Sequence, residues 1–179
     1  MTNIRRGFSF ALFAGAMLSG MQVAEAQEMM KSPLDYARAE IDGHEVEIKY
    51  SRPSMRGRTI YGELVPWDKV WRTGANEATH LTIPADMTIG GENVPAGVYT
   101  LWTVPAEDGW TLVINSETGQ RGHAYNGDND FLRVPMMTMS LDEPVETFTI
   151  SIVEGEDSDG VIRLDWETTR AYIAFDLDG

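Results

Sequence analysis

The chain predicts an all-β fold, an antiparallel β-sandwich of about eight or nine strands with little helix. Three observations carry that expectation. Apolar and polar residues alternate in short runs, turn-forming Gly, Pro and Asn/Asp clusters interrupt the runs at regular spacing, and no long stretch follows a helical period. The runs continue to the end of the 179 residues without an internal repeat or linker.

Taken in order, residues 32–40 are the first ambiguous element. Ser32, Pro33 and Asp35 would suit a helix start, yet Asp42-Gly43 is a hairpin turn and a clear strand follows, so the segment is read as a strand. From His44 to Tyr50, Val46, Ile48 and Tyr50 face one way while Glu45, Glu47 and Lys49 face the other. Pro53 ends that ladder. Gly57 and Gly62 punctuate an irregular segment running to Pro66, and Trp67–Gly74 reads as a loop or a short turn of helix. Strands are expected at Thr79–Ile83, Met87–Ile89, Val98–Val104 and Trp110–Asn115. Pro95-Ala96-Gly97 leads into the third of these, with Tyr99 able to reach back over the turn. Gly119–Asp130 is a polar loop. Phe131–Ser140 is expected on an edge because Pro135 lacks a ladder donor. Val145–Val153 follows, and Val161–Glu167 with Ala171–Leu177 is expected as a closing hairpin.

The N-terminus has the pattern of an export leader over residues 1–26. Arg5 and Arg6 precede an uncharged apolar run from Phe8 to Met21, and Ala24-Glu25-Ala26 offers a small-x-small cleavage site. Arg5-Arg6-Gly7-Phe8 partly matches a twin-arginine signal. Residues 27–179 then form one domain. No cysteine is present, so disulfides, thiolate chemistry and a lipobox anchor are excluded. The expectation is a periplasmic or secreted protein with no membrane association once the leader is removed.

Formal net charge is −14, which argues against nucleic acid as a partner. The charge is uneven. Between Ser51 and Ala75 five basic residues (Arg52, Arg56, Arg58, Lys69, Arg72) face two acidic ones (Glu63, Asp68). This cationic island lies in the irregular part of the chain, together with Trp67, Trp71, Asn76, Glu77 and His80.

The stretch YSRPSMRGRTIYGELVPWDKVWRTGANEAT resembles a bacterial family catalogued as domain of unknown function 2911, as do VPAGVYTLWTVP, WTLVIN, VETFTI and LDWETT further on. The resemblance spans nearly the whole of the chain after the leader. It implies a small exported β-rich domain and supplies no activity. Trp67 stands where the family often carries Tyr or Phe, and His80 falls at a variable position, which weakens any mechanism built on that histidine.

The residues themselves suggest three readings. Guanidiniums offer a planar donor fork for carboxylate, phosphate or sulfate, and Trp71 offers a stacking face. Arg52, Arg56, Arg58, Trp71, Arg72, Asn76 and Glu77 are therefore the candidate site for a small anionic or polar ligand, a carbohydrate among them. The second reading is an acid/base hydrolase or lyase with Glu77 moving the proton. The third is a structural or interaction module in which the motif is an internal salt-bridge network. Metal and cofactor signatures are absent: His44, His80 and His123 have no ligand spacing, and neither acidic loop (Gly127–Asp130, Glu154–Gly160) fits an EF-hand.

Overall fold

A computed structural model describes residues 32–178. The expected leader and the start of the mature chain lie outside the described residues. Nine strands are present among them: β1 (Leu34–Ile41), β2 (His44–Ser51), β3 (Thr79–Ile83), β4 (Met87–Ile89), β5 (Glu92–Val94), β6 (Gly97–Val104), β7 (Trp110–Asn115), β8 (Asp130–Glu154) and β9 (Gly160–Leu177). A single 3-10 turn, Gly127–Asn129, is the helical content among the described residues. All strand pairs are antiparallel, in the order β1-β2-β3-β6-β7-β8-β9-β4-β5.

Local chemistry accounts for the short elements. Asp42 and Gly43 both take positive φ (49° and 77°), the geometry of a two-residue hairpin turn, and β1 pairs with β2 in unbroken register. Residues 34–41 are thus a strand, because the turn chemistry that follows outweighs the helix-start signal at Ser32. Gly90 and Gly91 make the equivalent turn between β4 and β5. The Tyr99 hydroxyl donates to the Pro95 carbonyl at 2.9 Å, pinning the entry to β6.

The two C-terminal strands depart from the expected pattern. Phe131–Ser140 and Val145–Val153 belong to one long strand, β8, and Val161–Glu167 with Ala171–Leu177 to another, β9. The closing hairpin does not form. The first half of β9 pairs with residues 145–154 of β8 and the second half with residues 137–140. The reason is visible in burial. Ile162, Leu164 and Trp166 are inward, then Ala171, Ile173, Phe175 and Leu177, so the alternation slips by one residue. Glu167 absorbs the slip at φ 53°, where the register with β8 also shifts. A phase slip looks the same in sequence whether it marks a turn or a bulge. Pro135 lies in the part of β8 that pairs with β7, before pairing with β9 begins, so its missing N–H fits an unpaired side.

One apolar cluster unites both ends of the strand order, with Val46, Ile48 and Tyr50 of β2 in the same core as Phe148, Ile150 and Ile152 of β8. The Tyr50 and Phe148 rings meet edge-on at 5.8 Å. The sheet therefore turns back over its own buried face. A second, smaller cluster (Ala78, Trp102, Val113) lies on the reverse face of β6 and β7, with Tyr125 packed against it.

Turning the sheet over creates a problem along β8. Its residues 145–154 pair with β9 on one side, and their other side needs partners inside the protein. Residues 50–55 supply them. The Tyr50 hydroxyl accepts from Ile150 N–H at 3.0 Å and donates to the Ile150 carbonyl at 3.3 Å. Phe148 N–H donates to the Pro53 carbonyl at 2.9 Å, and Met55 N–H to the Glu146 carbonyl at 2.8 Å.

Tyr61 sits between Trp67, Trp110 and Trp166, with ring centroids 5.8, 5.0 and 6.3 Å away. Its hydroxyl is buried and has no hydrogen-bond partner among the described residues. Burial drives its pKa far upward, with nearby Glu167 and Asp165 adding to the effect. Burial also raises the pKa of Tyr50.

Two outcomes are expected in denaturant titrations. Tyr50→Phe strands both backbone groups of Ile150 and costs about 1–3 kcal/mol. Tyr61→Phe removes an unsatisfied hydroxyl and stabilises by about 1 kcal/mol. A tyrosine that stays neutral in the fold but ionises when unfolded contributes fully below its ordinary pKa of 10.0, and that stability is lost as pH rises beyond it. Tyr61→Phe should therefore also flatten the loss of stability above that pH.

Candidate functional site

The cationic motif begins where β2 ends. Arg52 continues the inward set Val46, Ile48, Tyr50, so its guanidinium arrives at the backbone of β8. Nε donates to the Phe148 carbonyl at 3.2 Å, Nη2 to Thr149 Oγ1 at 2.8 Å and Nη1 to Asp35 Oδ2 at 3.0 Å. Three donors are thereby committed to holding the edge of β8 and the start of β1. Arg58 serves its own loop, with Nε donating to the Met55 carbonyl at 2.9 Å and Nη2 to the Ser54 carbonyl at 2.7 Å. Arg56 turns the chain at φ 53°, its backbone N–H held by Glu146 Oε1 at 2.8 Å, with an exposed side chain. Loop carbonyls that lack ladder partners explain why arginines occur here: one planar fork satisfies several acceptors at once.

Trp71 is a packing residue. Its ring stacks on Trp166 at 5.8 Å and 19° and meets Phe148 edge-on at 5.0 Å. Its backbone exchanges hydrogen bonds with Thr103 at 2.7 and 2.9 Å. The stacking face expected for a ligand is thus occupied on one side by Trp166.

The turn after Trp71 takes a different path. Thr73 (φ 52°), Gly74 (φ 150°) and Asn76 (φ 57°) all lie at positive φ. The small residue at 74 is required because a Cβ there would come within 2.9 Å of the Ser51 carbonyl oxygen. Close approach is thus to the protein's own backbone. Asn76 Nδ2 donates to the Ser32 carbonyl at 3.0 Å and to Ser51 Oγ at 3.4 Å, tying this turn to the exit of β2.

Across the turn lies the polar loop 119–125. Glu77 and Arg121 form an isolated antiparallel bridge. At Gly122 an added Cβ would overlap the Asn76 carbonyl oxygen and stand 2.7 Å from Arg72 Cδ. Arg72 Nη1 donates to His123 Nδ1 at 3.3 Å, which requires the neutral ring with its other nitrogen protonated. Arg72 Nε is buried and has no partner among the described residues. Burial lowers the Arg72 pKa, although a guanidinium stays charged. Gln120 Oε1, in the same loop, is also buried and unsatisfied.

The seven candidate residues thus fall into two groups. Arg52, Arg56 and Arg58 have recorded partners in β8, β1 and their own loop, while Arg72, Asn76 and Glu77 adjoin loop 119–125. Arg52 forms an ion pair with Asp35, while backbone carbonyls accept from Arg52 Nε and from both Nε and Nη2 of Arg58. Glu77 is exposed, and no described ion pair links it to Arg72 or Arg58. In sequence, His123 stands only as a candidate metal ligand, and neither it nor Arg121 or Gly122 joins the motif, because more than forty positions separate them from it and no spacing rule connects the two. Among the described residues no group of three or more His, Asp or Glu is placed to hold a metal ion.

Fold and motif together define an all-β domain closed by an arginine- and tyrosine-bearing clasp. The chain belongs to the family described as protein of unknown function DUF2911, whose model matches residues 32–175. No curated protein and no solved structure matches the chain.

Gly122→Ala tests the contact between the two loops. It should destabilise the protein by about 1–3 kcal/mol, as overpacking does. It should also abolish the Arg72–His123 contact, read as a change in the chemical shifts of the His123 ring by NMR.

Proposed function

We propose that the protein is an exported binding protein for a small anionic ligand, held where Arg72 meets loop 119–125. One observation carries this reading. Arg72 presents a partly buried guanidinium whose described side-chain partner is a neutral imidazole, in a chain of net charge −14. A cation in that setting gains from an incoming carboxylate, phosphate or sulfate. Exposed Arg121 and His123 stand beside it in the sequence of the facing loop, and Asn76 and Glu77 could bond ligand hydroxyls, as a sugar acid would require. Export is supported by the leader pattern of residues 1–26, and acidity disfavours nucleic acid as a partner.

The bonds of Arg52 and Arg58 favour a second role for the first half of the motif, an internal clasp with no ligand. The two readings divide the motif between them. The hydrolase reading gains no support from Glu77, since an exposed lone carboxylate lacks the burial that tunes a general acid.

Thermal-shift and calorimetric titration with phosphate, sulfate, citrate and galacturonate test the proposal. At least one should raise the melting temperature, with an affinity that falls as salt rises. Arg72→Met should abolish that binding, and Arg72→Lys should weaken it by losing the fork. Arg52→Met should instead lower stability while binding persists. If no anion binds, or binding survives Arg72→Met, the proposal fails.

A further inference from the structure

A separate cleft of about 250 Å³ opens on the outward side of the β8–β9 ribbon, lined by residues that include Met139, Glu154, Glu156, Arg163, Arg170 and Tyr172. It exists because of the slip at Glu167. Arg163 and Arg170 are seven positions apart on β9, and a flat, regular strand would put them about 23 Å apart on opposite faces. The slip in phase between Trp166 and Ala171 puts them on one face, and both line the same cleft. Arg170 is fixed there by a fork on Asp165, with Nε to Oδ1 at 2.7 Å and Nη2 to Oδ2 at 2.6 Å.

Arg163 is different. Among the described residues no ion pair joins it to Glu154 or Glu156, although all three line the same cleft. Opposite charges around one concavity that do not reach each other leave a gap with a positive and a negative pole. Met139 and Tyr172 add apolar surface to the same lining, and Met139 is exposed at 49 %.

We propose that this cleft binds a small zwitterion, a free amino acid or dipeptide with an apolar side chain. Its carboxylate meets the Arg163 fork, its ammonium meets Glu154 and Glu156, and its side chain lies against Met139 and Tyr172. The volume suits a ligand of that size. The proposal is independent of the Arg72 corner.

Calorimetric titration of the purified chain with leucine and leucyl-leucine tests it, with N-acetylleucine and leucinamide as probes lacking one charge each. A zwitterion should bind with a Kd below about 10 mM. Each single-charge probe should bind about thirtyfold more weakly or not at all. Arg163→Gln should cause a loss of the same size with an unchanged melting temperature, while Arg72→Met leaves zwitterion binding intact. Failure of both zwitterions to bind, equal binding of the single-charge probes, or undiminished binding by Arg163→Gln would overturn it.

Discussion

The closed form of this domain depends on how the unpaired side of β8 finds hydrogen-bond partners. A strand edge turned toward the interior exposes N–H and C=O groups where water is scarce, and each one left unmet costs free energy comparable to a lost hydrogen bond. Here the solution is mixed. Backbone from Pro53 and Met55 provides part of the ladder, the Tyr50 hydroxyl bridges both groups of Ile150, and the Arg52 guanidinium reaches Phe148. The order Tyr-Ser-Arg-Pro-Ser-Met follows from that geometry. Tyr50 and Arg52 share the inward face through the period of two, and Pro53 contributes a carbonyl without needing to donate.

That solution changes the meaning of the cationic island. A guanidinium that bonds carbonyls needs no carboxylate and leaves a formal positive charge on the count without creating a binding surface. Arg58 is of this kind, and Arg52 comes close to it, adding one carboxylate, Asp35, to the Phe148 carbonyl and the Thr149 hydroxyl. Arg72 is not, because its recorded partner is a histidine ring and its Nε is unmet among the described residues. Charge counting along the chain sees four similar arginines. Only the acceptors around each one distinguish a clasp from a candidate site.

The slip of phase in β9, opposite the irregular stretch of β8, has a comparable double effect. By shifting the alternation at Glu167 it lets one strand serve two parts of the core, first through Ile162, Leu164 and Trp166, then through Ile173, Phe175 and Leu177. The same shift places Arg163, Arg170 and Tyr172 on the outer side together. A regular strand would have sent either the second apolar set or the second polar set to the wrong face.

The all-β class, the short strands, the Asp42-Gly43 turn and the shared face of Val46, Ile48 and Tyr50 in β2 were legible from the sequence. They rest on local rules: a period of two, the left-handed preference of Gly and Asp, and the missing donor of proline. The continuity of β8 and β9 was not, because a one-residue slip in phase carries no mark of whether the chain turns back or bulges onward. Nor was the assignment of individual arginines, since their acceptors come from residues far away in the chain. Asp35, Phe148 and His123 meet Arg52 and Arg72 only after the sheet has folded over, and that folding is decided by burial of the whole apolar face, not by any single stretch.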